Sequence, residues 1–390
     1  MSIGVKPTVT AAEAFRESFG RDPDGVWSAP GRVNLIGEHT DYNGGYVLPF
    51  AIDRRTWVAA ARRNDGVITA RSLQKPNETS EITIAELQAD ATPGNGWAAY
   101  VFGVVWALRE AGHDVSGADF VLDGQVPTGS GLSSSAAMEC AAGLATLDLY
   151  GIELPRDELA RIAQRAENEY VGVPCGLMDQ MAVSVCRAEH ALFFDVRDDA
   201  REHEPFAPAA DGLAVLVINT RAQHAHSEGG YADRRRACET AAKQLGVSFL
   251  RDITPDQLDD ALRELDDDIL RKRTRHVVTE NERVLSTVDL LRSGRLRDIG
   301  PLLTASHASL RDDFEVSCAE LDVTVDAALG SGALGARMTG GGFGGSAIAL
   351  VHADDVASVA RAVEDEFGRR GFKSPEIMTP AVAAGVDRDV

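Results

Sequence analysis

Apolar residues recur every three to four positions from Ala11 to Phe19, with Phe15 and Phe19 four apart, and this spacing predicts an amphipathic helix. The same period predicts helices over Trp97 to Glu110, stopped by Gly112, and over Ser133 to Tyr150, stopped by Gly151. Further helical patterns cover Glu158 to Glu169, Ala232 to Leu245 and Thr279 to Leu291. Short runs rich in β-branched or apolar residues predict strands at Thr56 to Ala61, Val67 to Arg71, Ala118 to Asp123, Leu192 to Asp195, Leu213 to Asn219 and Ser346 to Val351. Between two of these strands, Arg197 to Gly212 is rich in Asp, Glu, Pro and Ala and reads as irregular chain. A domain boundary is placed there, giving residues 1–205 and 206–390. The acid-rich stretch Asp256 to Asp268 reads as a solvated helix face and not as a metal site.

Charge narrows the function classes. The 390 residues carry 39 Lys+Arg against 60 Asp+Glu, a net charge of −21. Nucleic acid and anionic membrane surfaces both call for a basic face, so neither is an expected partner. No 18-residue apolar run and no apolar leader follow Met1, so neither a membrane span nor a secretory signal is expected. The cysteines Cys140, Cys175, Cys186, Cys238 and Cys318 are odd in number and widely spaced, which favours reduced thiols and a cytoplasmic setting.

Two segments carry candidate chemistry. In Val126-Pro127-Thr128-Gly129-Ser130-Gly131-Leu132-Ser133-Ser134-Ser135-Ala136-Ala137, a predicted strand leads in and a predicted helix leads out. Two glycines let the backbone approach an anion, and the serines occupy the first helical turn, where N–H groups lack intrahelical acceptors. That makes a phosphate site of neutral parts, and a serine hydroxyl there can also reach Mg²⁺. It is no Walker loop: the only lysines are Lys6, Lys75, Lys243, Lys272 and Lys373. The second segment, Ser28 to Gly45, packs Arg32, Asn34, Glu38, His39 and Asp41 close together. Carboxylates, amides and imidazole are what a pocket for sugar hydroxyls needs, though a polar surface turn has the same composition.

The run Gly31 to Pro49, GRVNLIGEHTDYNGG followed by a short apolar stretch, resembles the signature of galactokinases. The serine loop resembles the second motif of the wider GHMP kinase superfamily, and Arg337-Met338-Thr339-Gly340-Gly341-Gly342-Phe343-Gly344-Gly345 resembles the third. The resemblance implies an α+β fold. Its N-terminal domain would be like the second domain of ribosomal protein S-five and its C-terminal domain ferredoxin-like, with the active site in the cleft between them. It implies a monomeric sugar kinase that takes ATP and galactose, uses Mg²⁺ and forms galactose 1-phosphate.

Residue by residue, the resemblance implies Asp179, in Val173 to Gln180, as catalytic base and Arg32 as its neighbour and a stabiliser of the transferring phosphoryl group. Glu38, His39, Asp41, Gly176 (through its backbone) and Tyr231 are implied as sugar ligands. Gly129, Ser130, Gly131, Leu132, Ser133, Ser134, Ser135 and Ala136 are implied to hold the nucleotide, with Trp97, and Tyr100 beside it, near the adenine. Ser135 and Glu167 are implied as Mg²⁺ ligands, Glu167 being preferred to Glu169 by its offset from Asp179.

Several alternatives stay in view. Gly340 to Gly345 also fits the dinucleotide fingerprint GxGxxG, but a strand and not a helix is predicted after it. A kinase for N-acetylgalactosamine shares the Glu38 to Asp41 set. A non-catalytic sugar and ATP sensor would lose serine-loop residues that are complete here. His224 and His226 lack an evident third zinc ligand, and the Arg234 to Arg236 and Arg271 to Arg273 runs read as solvated or salt-bridged helix faces and not as partner sites.

Overall fold

The computed structural model describes residues 7–89, 96–222 and 227–390. The pair His224 and His226 lies outside them. In chain order the strands are β1 (Gly25–Asn34), β2 (Tyr46–Val47), β3 (Pro49–Arg62), β4 (Val67–Ser72), β5 (Thr79–Thr83), β6 (Ala118–Gly124), β7 (His190–Asp195), β8 (Ala200–Pro205), β9 (Leu213–Asn219), β10 (Gly335–Thr339), β11 (Ser346–His352), β12 (Glu376–Met378), β13 (Val382–Ala383) and β14 (Asp387–Arg388). The α-helices are α1 (Pro7–Phe19), α2 (Ala98–Glu110), α3 (Ser134–Tyr150), α4 (Arg156–Arg165), α5 (Met178–Val185), α6 (Ser227–Gln244), α7 (Leu258–Glu264), α8 (Asp268–Arg292), α9 (Gly300–Ser309), α10 (Ala319–Gly330) and α11 (Val356–Arg370).

A seven-stranded sheet in the order β14-β1-β3-β6-β4-β5, with β13 also on β3, forms the first half. It is antiparallel except for the β4–β6 pair. A four-stranded antiparallel sheet, β10-β11-β9-β12, forms the second half, and β2-β7-β8 makes a small third sheet. The C-terminal strands β13 and β14 cross back to the first sheet.

Strand β3 shows how the apolar pattern becomes layers. Trp57, Ala59 and Ala61 face one side, where Phe15 of α1 and Val121 pack on them; Val58 and Ala60 face the other, against the main core under α2 and α3. A run apolar at every position marks a strand covered on both faces. The central strands of the second sheet do the same. Val215, Val217, Ile348 and Leu350 join the core of the first half, while Leu216, Ile218, Ala347, Ala349 and Val351 face Val359, Val363 and Phe367 of α11. The second sheet is thus a middle layer, and the seam beside it is where the three sequence motifs meet.

Three elements depart from the expectations. Residues 200–205 are not irregular: they form β8, paired with β7 in register from His190 with Pro205 to Asp195 with Ala200. Charged residues conceal the strand, because its inward Glu204 is buried and held by Arg292 at 2.6 Å. The helix expected to start at Thr279 starts at Asp268, capped by the Asp267 side chain on the Ile269 N–H at 2.7 Å. Its first half buries polar residues, Arg273, Thr274 and His276, which a hydrophobic period counts as solvent-facing. The helix expected to run to Glu169 ends at Arg165, and residues 166–171 form a π-turn.

Elsewhere the expected elements are found, most to within two residues at each end, but β3 begins at Pro49 and not Thr56, and α6 at Ser227 and not Ala232. The acid-rich stretch is a short exposed helix, α7, flanked by turns. The basic runs are ion-paired: Arg235 with Glu239, Arg236 with Asp233, and Lys272 and Arg273 with Glu315.

Candidate active site

A cleft of about 700 Å³ lies where the two halves meet. Its lining includes Arg32, Glu38, His39, Asp41, Gly129, Gly131, Leu132, Ser133, Ser134, Ser135, Gly176, Asp179 and Tyr231, together with Thr339 to Gly345. Residues drawn from positions 32 to 345 are therefore brought to one surface. Trp97 is not part of this lining; it packs on the first core and its indole N–H donates to Glu78 at 3.2 Å.

Asp179 sits in the first turn of α5 and Arg32 at the bulge in β1. The guanidinium forks onto the carboxylate, Nε to Oδ1 at 2.9 Å and Nη2 to Oδ2 at 2.8 Å. Ser133 adds its hydroxyl to Oδ2 at 2.6 Å. All three contacts, two from Arg32 and one from Ser133, are donors, which is the set a carboxylate accepts, and the two-point fork fixes its plane. Arg32 is buried, and its third nitrogen is anchored on the Gly131 carbonyl, so this pair is tied directly to the serine loop.

The serine loop turns through Gly129 (φ +71°) and Gly131 (φ +75°), then Ser133 in a left-handed conformation (φ 59°), before α3 begins at Ser134. Ser133, Ser134 and Ser135 line the cleft, and the first-turn amides of α3 lack helical acceptors. The third motif braces this loop from behind. Ser346 donates to the Ser130 carbonyl at 2.7 Å, and a side chain at Gly340 would meet the Gly131 carbonyl at 2.9 Å, so only glycine permits that crossing. Strand β11 does follow the third motif, so no dinucleotide-type helix stands there.

The sugar-type residues line the adjoining end. A Cβ at Gly176 would overlap Asp41 Oδ2 at 1.6 Å, so glycine is what lets that backbone close on the carboxylate. Burial, then the charges of Asp179 and Glu38, pushes the Asp41 carboxyl up to about 6, against the Tyr42 N–H and Arg32, which lower it. His39 is held down to about 3 by burial, so it is neutral. Its Nε2 donates to the Gly341 carbonyl at 3.2 Å, which leaves Nδ1 to accept from the Tyr42 hydroxyl at 2.8 Å. Tyr231 stacks beside both rings, with centroids 5.5 Å from each. Glu38 is buried and accepts from the Gly340 N–H at 2.7 Å and Thr339 Oγ1 at 3.2 Å.

Glu167 lies in the π-turn, which swings it inward and buries it, while Glu169 stays outside, paired with Arg165 at 3.0 Å. Around Glu167 the structure gathers the Ser135 hydroxyl, the Gln180 amide and Glu139. Burial raises the carboxyls of both Glu139 and Glu167 above the ordinary range, helped by their neighbouring negative charges. Glu139 Oε1 has no hydrogen-bond partner. Buried acids short of positive charge fit a cation, and the oxygen donors at hand are Ser135, which lines the cleft, and Glu167, hydrogen-bonded behind it. Among the described residues no three His, Cys, Asp or Glu side chains could hold a metal by themselves. That suits an ion completed by phosphate oxygens and water. Glu139 and Gln180 escaped the sequence reading. The available signals were the four-residue step from Ser135 along α3 and the position directly after Asp179.

Comparison with known proteins agrees with this geometry. The galactokinase galactose-binding signature matches residues 13–62, the GHMP kinases N-terminal domain residues 99–187 and the GHMP kinases C-terminal domain residues 287–369. The solved mevalonate kinase of Methanococcus jannaschii shares the fold, with a TM-score of 0.68 at 17% identity, covering 92% of this chain and 98% of that one. The fold and the three motifs define a GHMP kinase. Among curated proteins, a galactokinase of Streptomyces coelicolor is 53% identical over 97% of this chain and 98% of its own length. One from Mycobacterium tuberculosis H37Rv is 45% identical over 92% and 98%. The crystal structure of Lactococcus lactis galactokinase complexed with galactose superposes with a TM-score of 0.92 at 35% identity, covering 97% of this chain and 98% of that one. The chain belongs to the galactokinase family.

Proposed function

We propose that the protein transfers the γ-phosphoryl group of ATP to the C1 hydroxyl of α-D-galactose, giving ADP and galactose 1-phosphate. The observation that carries the reading is the Arg32–Asp179–Ser133 cluster, set between the serine loop on one side and Glu38, His39, Asp41, Gly176 and Tyr231 on the other. The chain has a phosphate end and a hydroxyl end, with one carboxylate at their junction.

ATP phosphates are held by the first-turn amides of α3 and the Ser134 hydroxyl, the Ser133 hydroxyl being committed to Asp179. Trp97 is proposed as an aromatic flank for the adenine, beyond the lined cleft. Ser135 and Glu167 would hold Mg²⁺, which when bound supplies positive charge to the phosphate oxygens. Asp179 accepts the hydrogen bond of the sugar C1 hydroxyl and so aims its oxygen at the phosphorus. Phosphoryl transfer through a loose transition state needs little activation of the nucleophile. The hydroxyl proton therefore passes to Asp179 late, as the new O–P bond forms and the hydroxyl turns acidic. Arg32 keeps the carboxylate oriented and offsets charge growing on the transferring group.

At the sugar end Asp41 and Glu38 accept hydrogen bonds from sugar hydroxyls, and Tyr231 and His39 wall the ring. No helix among the described residues is long and apolar enough to cross a membrane. All five cysteines are unbridged, which fits the cytoplasmic setting proposed; the protein is proposed to act as a monomer. The division at residues 205 and 206 belongs to the same proposal, with residues 382–388 crossing back to the first sheet. A coupled assay of ADP release across a sugar panel tests the reading. Galactose-dependent turnover supports it, and turnover confined to N-acetylgalactosamine or another sugar overturns the substrate.

A further inference from the structure

The sugar-binding loop has to be held in shape by something outside the cleft. Between β1 and β2 it turns through Gly37 (φ +97°) and His39 (φ +61°), the second a conformation that costs a non-glycine residue energy. Its backbone N–H groups at positions 37 and 38 are directed away from the cleft and find no ladder partner. Both donate to one oxygen of Glu280, at 3.0 and 3.4 Å. The Ser306 hydroxyl donates to the same oxygen at 2.6 Å, and Arg283 Nε holds the other at 2.7 Å.

Glu280 is fully buried on α8 and does not line the cleft. Its helix contributes two more grips on the same loop. His276 Nε2 donates to the Glu38 carbonyl at 3.0 Å, and Asn281 accepts from the Tyr46 N–H at 2.9 Å. Positions 276 and 280 are one helical turn apart, with Asn281 next to them. Among the described residues no hydrogen bond from α8 reaches the serine loop, which rests on β1 and on Ser346 just after the third motif.

We propose that Glu280 is a positioning residue for galactose: it fixes the backbone of Gly37 and Glu38, and with it the direction in which Glu38 and His39 meet the sugar. Burial alone would raise its carboxyl, but Arg283, then His276 and Arg337, and the Ser306 hydroxyl hold it down to about 2, so it is a permanent acceptor at neutral pH. An amide in its place must turn a donor toward either the loop N–H groups or Arg283, and one end is then unpaired.

The proposal rests on residues 38 to 41 contacting the sugar, and the test separates the two. In the full-length protein, Glu280→Gln should raise the galactose KM and the calorimetric galactose Kd about tenfold, the loss of one charge-assisted bond. The ATP KM should stay within about twofold. Glu282→Gln, an exposed change on the same helix, should move neither. Ser306→Ala, which removes one donor and keeps Glu280, should raise the galactose KM about threefold and leave ATP alone, and it decides the matter if Glu280→Gln does not fold. Equal rises for both substrates would mean a merely structural brace and would overturn the assignment. A folded Glu280→Gln with unchanged galactose binding would overturn it as well. Wild-type protein that binds an ATP analogue but not galactose would instead remove the sugar reading beneath it.

Discussion

The phosphate end and the sugar end of the cleft are built in opposite ways. The phosphate end is local and neutral: a strand, two left-handed glycines and three serines at the start of one helix supply it within about a dozen residues. The sugar end is assembled at long range from charged and aromatic groups. Its loop lies at residues 34–46, yet it is gripped by Glu280, His276 and Asn281 of α8 and by Arg337, Thr339 and Gly340 of the third motif. A polyanion can be bound by backbone geometry that one segment fixes, so net charge of −21 is no obstacle to ATP. A neutral sugar offers only hydroxyl directions, and setting those requires side chains placed from several elements.

The largest expected effect falls where the two ends meet. Asp179→Asn should lower kcat by about a thousandfold or more while galactose binding, measured by calorimetry, changes by only a few-fold. Near-full activity would remove Asp179 from the chemistry. Arg32→Lys keeps the charge but loses the fork, and kcat should fall about a hundredfold with little change in either KM.

Two glycine substitutions should then split the ends apart. Gly176→Ala places a methyl group on Asp41 and should raise the galactose KM about tenfold or more with ATP unaffected. Gly131→Ala strains a φ of +75°, and a left-handed penalty of about 1–2 kcal/mol should appear as roughly a tenfold rise in the ATP KM. If either change affects both substrates equally, the two ends are not independent.

The smallest effect is in pH. Asp41 holds its proton up to about 6, so calorimetric galactose affinity should weaken several-fold as pH falls from 7 to 5, and Asp41→Asn should flatten that dependence. The sign for stability is the reverse. A carboxyl raised in the folded state contributes stability that is complete below its unfolded value, about 3.8, and is lost as pH rises through about 6. The Asp41→Asn protein should therefore gain in melting temperature relative to wild type at pH 7 and not at pH 4.

How much the chain reveals follows the same division. Motif positions carried the phosphate loop, Asp179, Arg32 and the sugar set, because those chemistries sit on short contiguous segments. The structure draws most of them onto one cleft; Trp97 lies apart, and Ser130, Ala136 and Glu167 are buried behind the lining. The supports were not legible. Glu280 lies more than 200 residues from the loop it holds, and it sits on a helix whose buried face is polar, so no hydrophobic period marks it. β8 was hidden for a related reason: its buried residue, Glu204, is a charge neutralised by Arg292 from a distant helix. Glu167 and Glu169 are two residues apart in sequence, and only the π-turn decides which one is buried.

The account's central claim is that one carboxylate joins a phosphate end to a galactose end and directs transfer to a single hydroxyl. The most direct measurement is the product itself. With ATP and galactose labelled with carbon-13 at C1, phosphorus and carbon NMR should show one product with phosphorus coupled to the labelled carbon, formed in step with ADP. Phosphate at another carbon, or ADP release that does not depend on galactose, would contradict it.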